Sequence, residues 1–420
     1  MHLFDNLTKQ VGLVFIASMI VNVSNYLFQI FMSRSLGPAD YGVLASLFSL
    51  FMILSVPAGA LQTVTTKYTS NFKAHGEFGK IKELVKGLLK RVFLFGLGGF
   101  ILFTLGSNSI SSFLHIPSRL PVIITGVALV LAIVSPIVMG VIQGLQAFGY
   151  FGTDMIIGAL VKLFCGIFLV YLGFRVNGAL LGVIMGSLAG ILFLIIPLKP
   201  VFEKSKANPD FDFSQVYDYF LPVAIMLFCF MVLTNIDLIL VKHFFSPSQA
   251  GHYAAASIMA KIILYLPGAI TLVMFPKTSE LYALNKEHKS ILKRSLFYGV
   301  FLCGGTLLLF LTIPSFIVKF LFGNQYIPII PLIGIFGSAM CFFALSNILF
   351  LYQLSIHELK FLKTLTVSTI AEAILIVLFH PGLTQVILIL LGVSLFLFLS
   401  NIYYVFVSAE KKKHNKPIFS

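Results

Sequence analysis

Twelve stretches of this chain are long and apolar enough to cross a bilayer as helices: 11–32, 41–66, 92–110, 121–145, 151–173, 177–198, 217–240, 249–275, 294–314, 328–353, 361–379 and 383–407. A hydrocarbon core about 30 Å thick needs about 20 predominantly apolar residues in helical form. Nothing in hydrocarbon bonds to exposed backbone, so only helices and closed barrels span it. Barrel strands alternate apolar and polar residues, and these runs do not. The expected fold class is an all-α polytopic membrane protein with twelve transmembrane helices. Composition agrees: 58% of residues are hydrophobic and 10% charged, where a soluble domain carries about 25% charged residues.

The chain also repeats at half its length. Leu89-Lys90-Arg91-Val92-Phe93-Leu94-Phe95-Gly96 returns as Leu292-Lys293-Arg294-Ser295-Leu296-Phe297-Tyr298-Gly299. At an offset of 209, Pro38 and Gly42 return as Pro247 and Gly251, and Gly59-Ala60 as Gly268-Ala269. Two pseudo-symmetric six-helix halves are expected, 1–200 and 217–410, joined by a polar cytoplasmic linker at 201–216 and followed by a basic tail at 411–420. Fused apolar repeats of this kind are a transporter design, with the binding site between the halves.

The net charge of +14 raises nucleic acid as a partner, and its distribution argues against it. Most of the 29 Lys and Arg fall in 67–91, 199–206, 277–294, 360–363 and the C-terminal tail, with Lys9 in the N-terminal segment. These segments share one side when both termini are cytoplasmic. The external side then holds only Arg34, Arg119, Arg175, Lys242 and Lys319. This positive-inside bias reports topology and contact with anionic lipid. The first apolar run is too long for a signal h-region and lacks an A-x-A-like cleavage site, so it is expected to stay as the first helix. Phe78, Ile81, Val85 and Leu88, with lysines around them, predict a basic amphipathic helix lying on the membrane surface.

Cys165, Cys229, Cys303 and Cys341 all lie inside apolar runs, so no loop cysteine serves a disulfide or metal site. No cofactor and no metal are expected. Asp210-Phe211-Asp212 spells a DxD motif, in a short polar loop without a nucleotide-binding domain, and is read as incidental.

Charged groups at membrane depth are the sharpest functional signal, since each costs about 2.5–3.5 kcal/mol at a helix centre. Lys162, Lys261 and Glu372 lie near the middles of their runs. Gln143 matches Gln353 at an offset of 210, and the same offset pairs Lys162 with Glu372. These residues either line a polar cavity or form a structural pair between helices. Asp154, Gly158 and Gly166 share the face of Lys162, which suits close helix packing or leaves room for a headgroup. Ser18, Asn22, Asn25, Gln29 and Ser33 make a polar stripe along the first helix, suited to a wet lumen or to interhelical hydrogen bonds. Pro57 predicts a kink in the second helix. Arg34, Lys242 and Asp237 sit near the outer ends of helices one and seven, either as a gate or external capture site or as ordinary interfacial residues.

Ser33-Arg34-Ser35-Leu36-Gly37-Pro38-Ala39-Asp40-Tyr41-Gly42 resembles the signature after the first helix of the polysaccharide-biosynthesis membrane transporters, the oligosaccharide flippases. Gly140-Val141-Ile142-Gln143-Gly144-Leu145-Gln146-Ala147-Phe148-Gly149 resembles their segment between helices four and five. Thr234-Asn235-Ile236-Asp237, followed by Gly251-His252-Tyr253, resembles the start of their second half. The likeness runs over essentially the whole chain. It implies membership of the multidrug/oligosaccharidyl-lipid/polysaccharide exporter superfamily, with two six-helix lobes around a central cavity. The implied activity is to move a polyprenyl-diphosphate-linked oligosaccharide from the inner to the outer leaflet of the plasma membrane by alternating access, without being an enzyme. It also implies a cavity role for Lys162, where the family often has a basic residue. Lys162 and Lys261 would meet the diphosphate, with Asn22, Asn25, Gln29 and Glu372 in the cavity. Expected partners are the lipid-linked glycan, membrane lipids, and the glycosyltransferases and polymerase of the same pathway; a monomer is expected. The alternative is a cation-coupled multidrug exporter of the related family. A glycan polymerase or ligase would need a large external loop that is absent here, and peptidoglycan-precursor flippases usually have fourteen helices.

Overall fold

A computed structural model describes residues 2–203, 214–283, 286–356 and 358–408. The DxD spelling, most of the linker and the basic tail lie outside the described residues. No strand occurs among the described residues, whose α-helices run in the order α1 (His2–Leu54), α2 (Val56–Ala74), α3 (Phe78–Leu105), α4 (Ser107–Phe113), α5 (Leu120–Gly144), α6 (Phe148–Leu169), α7 (Arg175–Glu203) and α8 (Ser214–Leu233). There follow α9 (Ile236–Phe244), α10 (Pro247–Tyr265), α11 (Gly268–Ala283), α12 (Lys289–Thr312), α13 (Pro314–Leu321), α14 (Ile330–Ser355), α15 (Phe361–Leu378) and α16 (Leu383–Ile402). Nine stretches among the described residues are long and apolar enough to cross a membrane. Ile16–Leu54 and Phe148–Lys199 each join consecutive predicted spans. The first turns at Gly37 (φ 71°) and the second at Gly173 (φ 92°), left-handed positions that glycine adopts without strain.

Several predicted spans are interrupted, the run 92–110 at Gly106 between α3 and α4 among them. The run 41–66 breaks at Ser55 between α1 and α2, just before Pro57, as the proline predicted. The run 249–275 breaks at Leu266-Pro267 between α10 and α11, where the ring cannot continue the hydrogen-bond ladder. The run 217–240 breaks at Thr234-Asn235 between α8 and α9, with Asn235 at φ −140° and ψ −18°. Discontinuous helices in a membrane place backbone and side-chain polar groups at depth.

The chain divides into two compact units, Met1–Met231 and Val232–Ser420. In the first, α6 packs on α7 through glycine. Gly178, Gly182, Gly186 and Gly190 recur every four residues and so form one stripe. A Cβ at Gly182 would stand 2.6 Å from the Gly166 Cα, and one at Gly186 would stand 2.5 Å from the Gly158 carbonyl oxygen. The small face predicted on α6 therefore serves close backbone approach. Gly140 and Gly144 of α5 meet α2 in the same way, their Cβ positions 2.8 and 2.6 Å from Thr65 and Thr69.

The surface helix predicted over 76–91 takes a different place. It is the first half of α3, and Ile81, Leu84, Val85 and Leu88 are buried against Phe72, Val138, Ile142, Leu194 and Leu198. Its apolar stripe faces protein rather than lipid. In the second unit α14 is the hub, packed on α10, α12 and α16, with Phe336, Phe343 and Phe350 fully buried.

Candidate functional site

Each unit holds a polar cluster built around an asparagine. In the first, the α1 stripe divides its work. Asn25 Oδ1 accepts a hydrogen bond from Lys162 Nζ of α6. The same ammonium lies 5.2 Å from the ring centroid of Phe28, a cation–π distance. Gln29 Oε1 accepts from the Tyr41 hydroxyl at 3.3 Å, and Ser33 donates to its own helix at Ile30. Asn22 is exposed. Asp154 is buried beside Gly190, with Oδ1 lacking a hydrogen-bond partner. Eight residues separate it from Lys162, about 12 Å along the helix, too far for an ion pair.

In the second unit the cluster forms at the break between α8 and α9. Asn235 Oδ1 accepts from Lys261 Nζ of α10 at 2.9 Å. Asp237, in the first turn of α9 where a carboxylate suits the helix dipole, accepts from the Tyr253 hydroxyl at 2.7 Å. Glu372 of α15 is fully buried, and neither carboxylate oxygen has a hydrogen-bond partner. Among the described residues, no salt bridge joins Lys162, Lys261, Asp237 or Glu372 to another side chain.

Asn25 and Asn235 are 210 residues apart, the offset that relates Gln143 to Gln353. The repeat thus keeps the acceptor, and each copy receives a lysine. Sequence reasoning named Lys162, Lys261 and Asn25 and missed Asn235 as their counterpart, although the offset marks it. Tyr253 belongs to the Gly251-His252-Tyr253 motif, but the sequence assigns it no partner; the structure gives it Asp237.

The outer-gate expectation needs correction. Arg34 is exposed, while Lys242 is only 1% exposed and Asp237 0%, so neither offers an external capture group. The reason is the break at Asn235. It makes α9 a short separate helix, packed against α10 and α15, and carries both residues inward. Arg175 instead forms an ion pair at 2.7 Å with Asp40, a contact between α7 and the segment after the first span.

A family described as polysaccharide biosynthesis protein matches residues 31–331. The chain belongs to that family. A curated relative, an uncharacterized membrane protein of Methanocaldococcus jannaschii, is 22% identical over 298 residues, covering 66% of this chain and 69% of the relative. Among solved structures, an inward-facing multidrug resistance transporter of the MATE family, in the MOP superfamily, has a TM-score of 0.76 at 14% identity, covering 96% of this chain and 99% of that one. The lipid II flippase MurJ in an inward closed conformation has a TM-score of 0.74 at 15% identity, covering 94% and 87%. At such identities the likeness is one of fold, that of MOP-superfamily transporters and flippases. Membership of the polysaccharide biosynthesis family and the helical membrane fold are thereby shown.

Proposed function

We propose that this protein is a flippase that carries a polyprenyl-diphosphate-linked oligosaccharide from the cytoplasmic to the outer leaflet of the plasma membrane, by alternating access. The observation that carries the reading is the pair of membrane-depth lysines, Lys162 and Lys261, each hydrogen-bonded to an asparagine and neither in a salt bridge among the described residues. An ammonium bonded to a neutral amide keeps its charge available to an anion, and a diphosphate is the anion such a substrate brings. Hydration stripped from sugars and phosphates in hydrocarbon must be replaced by polar protein groups. The α1 stripe of Asn22, Asn25 and Gln29 supplies them, and Arg34 stands exposed beyond its end. Both termini are assigned to the cytoplasm by the distribution of Lys and Arg.

Lys162→Ala should abolish surface glycan while membrane levels of the protein stay unchanged, with lipid-linked oligosaccharide accumulating on the cytoplasmic leaflet. Normal surface glycan in that variant removes Lys162 from the mechanism.

The buried carboxylates Asp237 and Glu372 favour a second reading, a cation-coupled multidrug exporter. Glu372, whose two carboxyl oxygens have no hydrogen-bond partner, would take up a proton or a cation in the cycle. Under either reading, Glu372→Gln should make transport insensitive to the driving gradient. Dye efflux by the wild type, without any effect of deletion on surface glycan, would decide for the exporter.

A further inference from the structure

Cys303 of α12 and Cys341 of α14 meet inside the second unit, apart from its polar cluster. The packing on either side of them fixes the encounter. One turn before Cys303, a Cβ at Gly299 would stand 2.7 Å from Ile348 Cδ1 and 3.1 Å from Leu345 Cδ2. One turn after Cys303, Leu307 Cδ1 lies 2.9 Å from the Cβ position of Gly337. The two helices therefore run antiparallel, and four residues forward along α12 match four residues back along α14. Midway between the Gly299–Leu345 and Leu307–Gly337 contacts, that register sets Cys303 opposite Cys341. The two thiols are hydrogen-bonded to each other.

The pair is unequal. Cys303 is fully buried, and its thiol donates to the Ile263 carbonyl of α10 at 3.6 Å. That carbonyl would ordinarily accept from the N–H of residue 267, which is a proline and has none. Cys341 is half-buried, packed against the cluster that holds Leu345, Ile348 and Leu349. Among the described residues, no further His, Cys, Asp or Glu joins the two in a set that could hold a metal ion. A metal held by sulfur alone would also need thiolates, and charge is expensive in hydrocarbon. A dithiol and its disulfide are both neutral.

We propose that Cys303 and Cys341 are a modification site, closed to a disulfide by a membrane-soluble hydroperoxide. Cys341 reacts first, because it alone of the two is within reach. Its sulfur attacks the terminal oxygen of the peroxide: an S–O bond forms, the O–O bond breaks, and an alcohol leaves with the thiol proton. The Cys303 sulfur then attacks the Cys341 sulfenic acid. An S–S bond forms, the S–O bond breaks, and water leaves with the Cys303 proton. The sulfurs are oxidised, the peroxide is reduced, and no charge stays in the hydrocarbon. The new bond ties α12 to the hub helix α14 and takes from the Ile263 carbonyl its donor. None of these groups belongs to the flippase reading, so the site stands or falls independently of it.

The test treats the full-length protein in lipid vesicles with cumene hydroperoxide. Cys165→Ser and Cys229→Ser together leave only the pair to react. After an acid quench, remaining thiols are labelled with a maleimide in denaturant, and the intact mass is read without reductant. The protein should lose two hydrogen masses, take up no maleimide, and recover both thiols in dithiothreitol. Peptide mapping should join the segment of residue 303 to that of residue 341 within one chain. The same joined peptide in the otherwise unaltered protein keeps the result readable if the two serines prevent folding. Cys303→Ser removes the resolving thiol, so Cys341 should gain oxygen mass and form no bond. Thiols that stay free in the unaltered pair, oxygen gained there without loss of hydrogen, or a disulfide only between two chains would each overturn the proposal.

Discussion

The two halves hold a lysine in hydrocarbon by the same acceptor and by different scaffolds. In the first unit Lys162 comes from α6, across from Asn25, and α6 is clamped to α7 by the glycine stripe. In the second Lys261 comes from α10, across from Asn235, and the position that repeats Lys162 is Glu372 on α15. The glycine stripe did not survive the duplication. Gly158, Gly166, Gly186 and Gly190 correspond at the offset of 210 to Ser368, Ile376, Phe396 and Ser400, and only Gly182 keeps its glycine, as Gly392. One half therefore presents a lysine from a tightly fixed helix pair, and the other carries two carboxylates on helices with looser backbone contact. The lesson is that fold symmetry constrains backbone positions, while charge can be reassigned from helix to helix as long as each buried ammonium finds an acceptor.

The largest test of this contrast is Gly182→Ala set against Gly392→Ala. The first puts a methyl 2.6 Å from the Gly166 Cα, and backbone cannot step aside cheaply. A loss of about 3 kcal/mol or more is expected, at the upper end for overpacking, read as failure to accumulate or a large fall in the thermal midpoint. At Gly392 nothing lies within 4 Å of the added Cβ, and alanine should be neutral or slightly stabilising. Equal effects at the two sites would refute the difference in clamping. Next in size is Asn25→Ala against Asn235→Ala. Hydrogen bonds between membrane helices average about 0.6 kcal/mol, with a maximum near 1.7, and an ammonium left without its acceptor belongs at the top of that range. Asn25→Ala should cost more, because Lys261 still senses the charge of Asp237 after Asn235 is truncated whereas Lys162 has no acid on its own helix nearer than Asp154. Thermal denaturation in detergent ranks the two, and a larger loss at Asn235 would reverse the argument.

Much of this architecture was legible because its cause is local. Apolar runs demand burial in hydrocarbon whatever their neighbours, and Pro57 cannot continue the hydrogen-bond ladder of the helix before it. The three midspan charges were legible because their cost is paid at any lipid-facing position. What stayed hidden depends on partners. The periodicity of Ile81, Val85 and Leu88 correctly gives an apolar helix face but cannot say whether lipid or protein covers it, and here protein does. The break at Thr234-Asn235 has no proline or glycine to announce it. It decides the site all the same, since it makes Asn235 an acceptor and draws Asp237 and Lys242 inward. The offset of 210 already related Asn25 to Asn235, so the duplication held more of the second cluster than helix-by-helix reading extracts.

The smallest expected effect compares how the two halves begin their second span. Asp40 of the first half corresponds, at the offset of 209, to Gln249 of the second. Gln249 closes a capping box: its amide hydrogen reaches the Ser246 hydroxyl, and its side-chain oxygen accepts from the Ser246 backbone N–H at 3.2 Å. That device is local and nearly insensitive to salt, so Ser246→Ala should cost about 1 kcal/mol at any ionic strength. Asp40 instead reaches across to Arg175, whose side chain is 72% exposed. Pairs of that kind contribute about 0.2–1 kcal/mol and are screened by ions. Asp40→Asn should therefore lower the thermal midpoint less than Ser246→Ala does, and the difference from wild type should vanish in high salt. A salt-independent loss at Asp40 would mean that the residue supports the turn at Gly37 through its backbone surroundings, and the two halves would then begin their second spans by the same kind of local device.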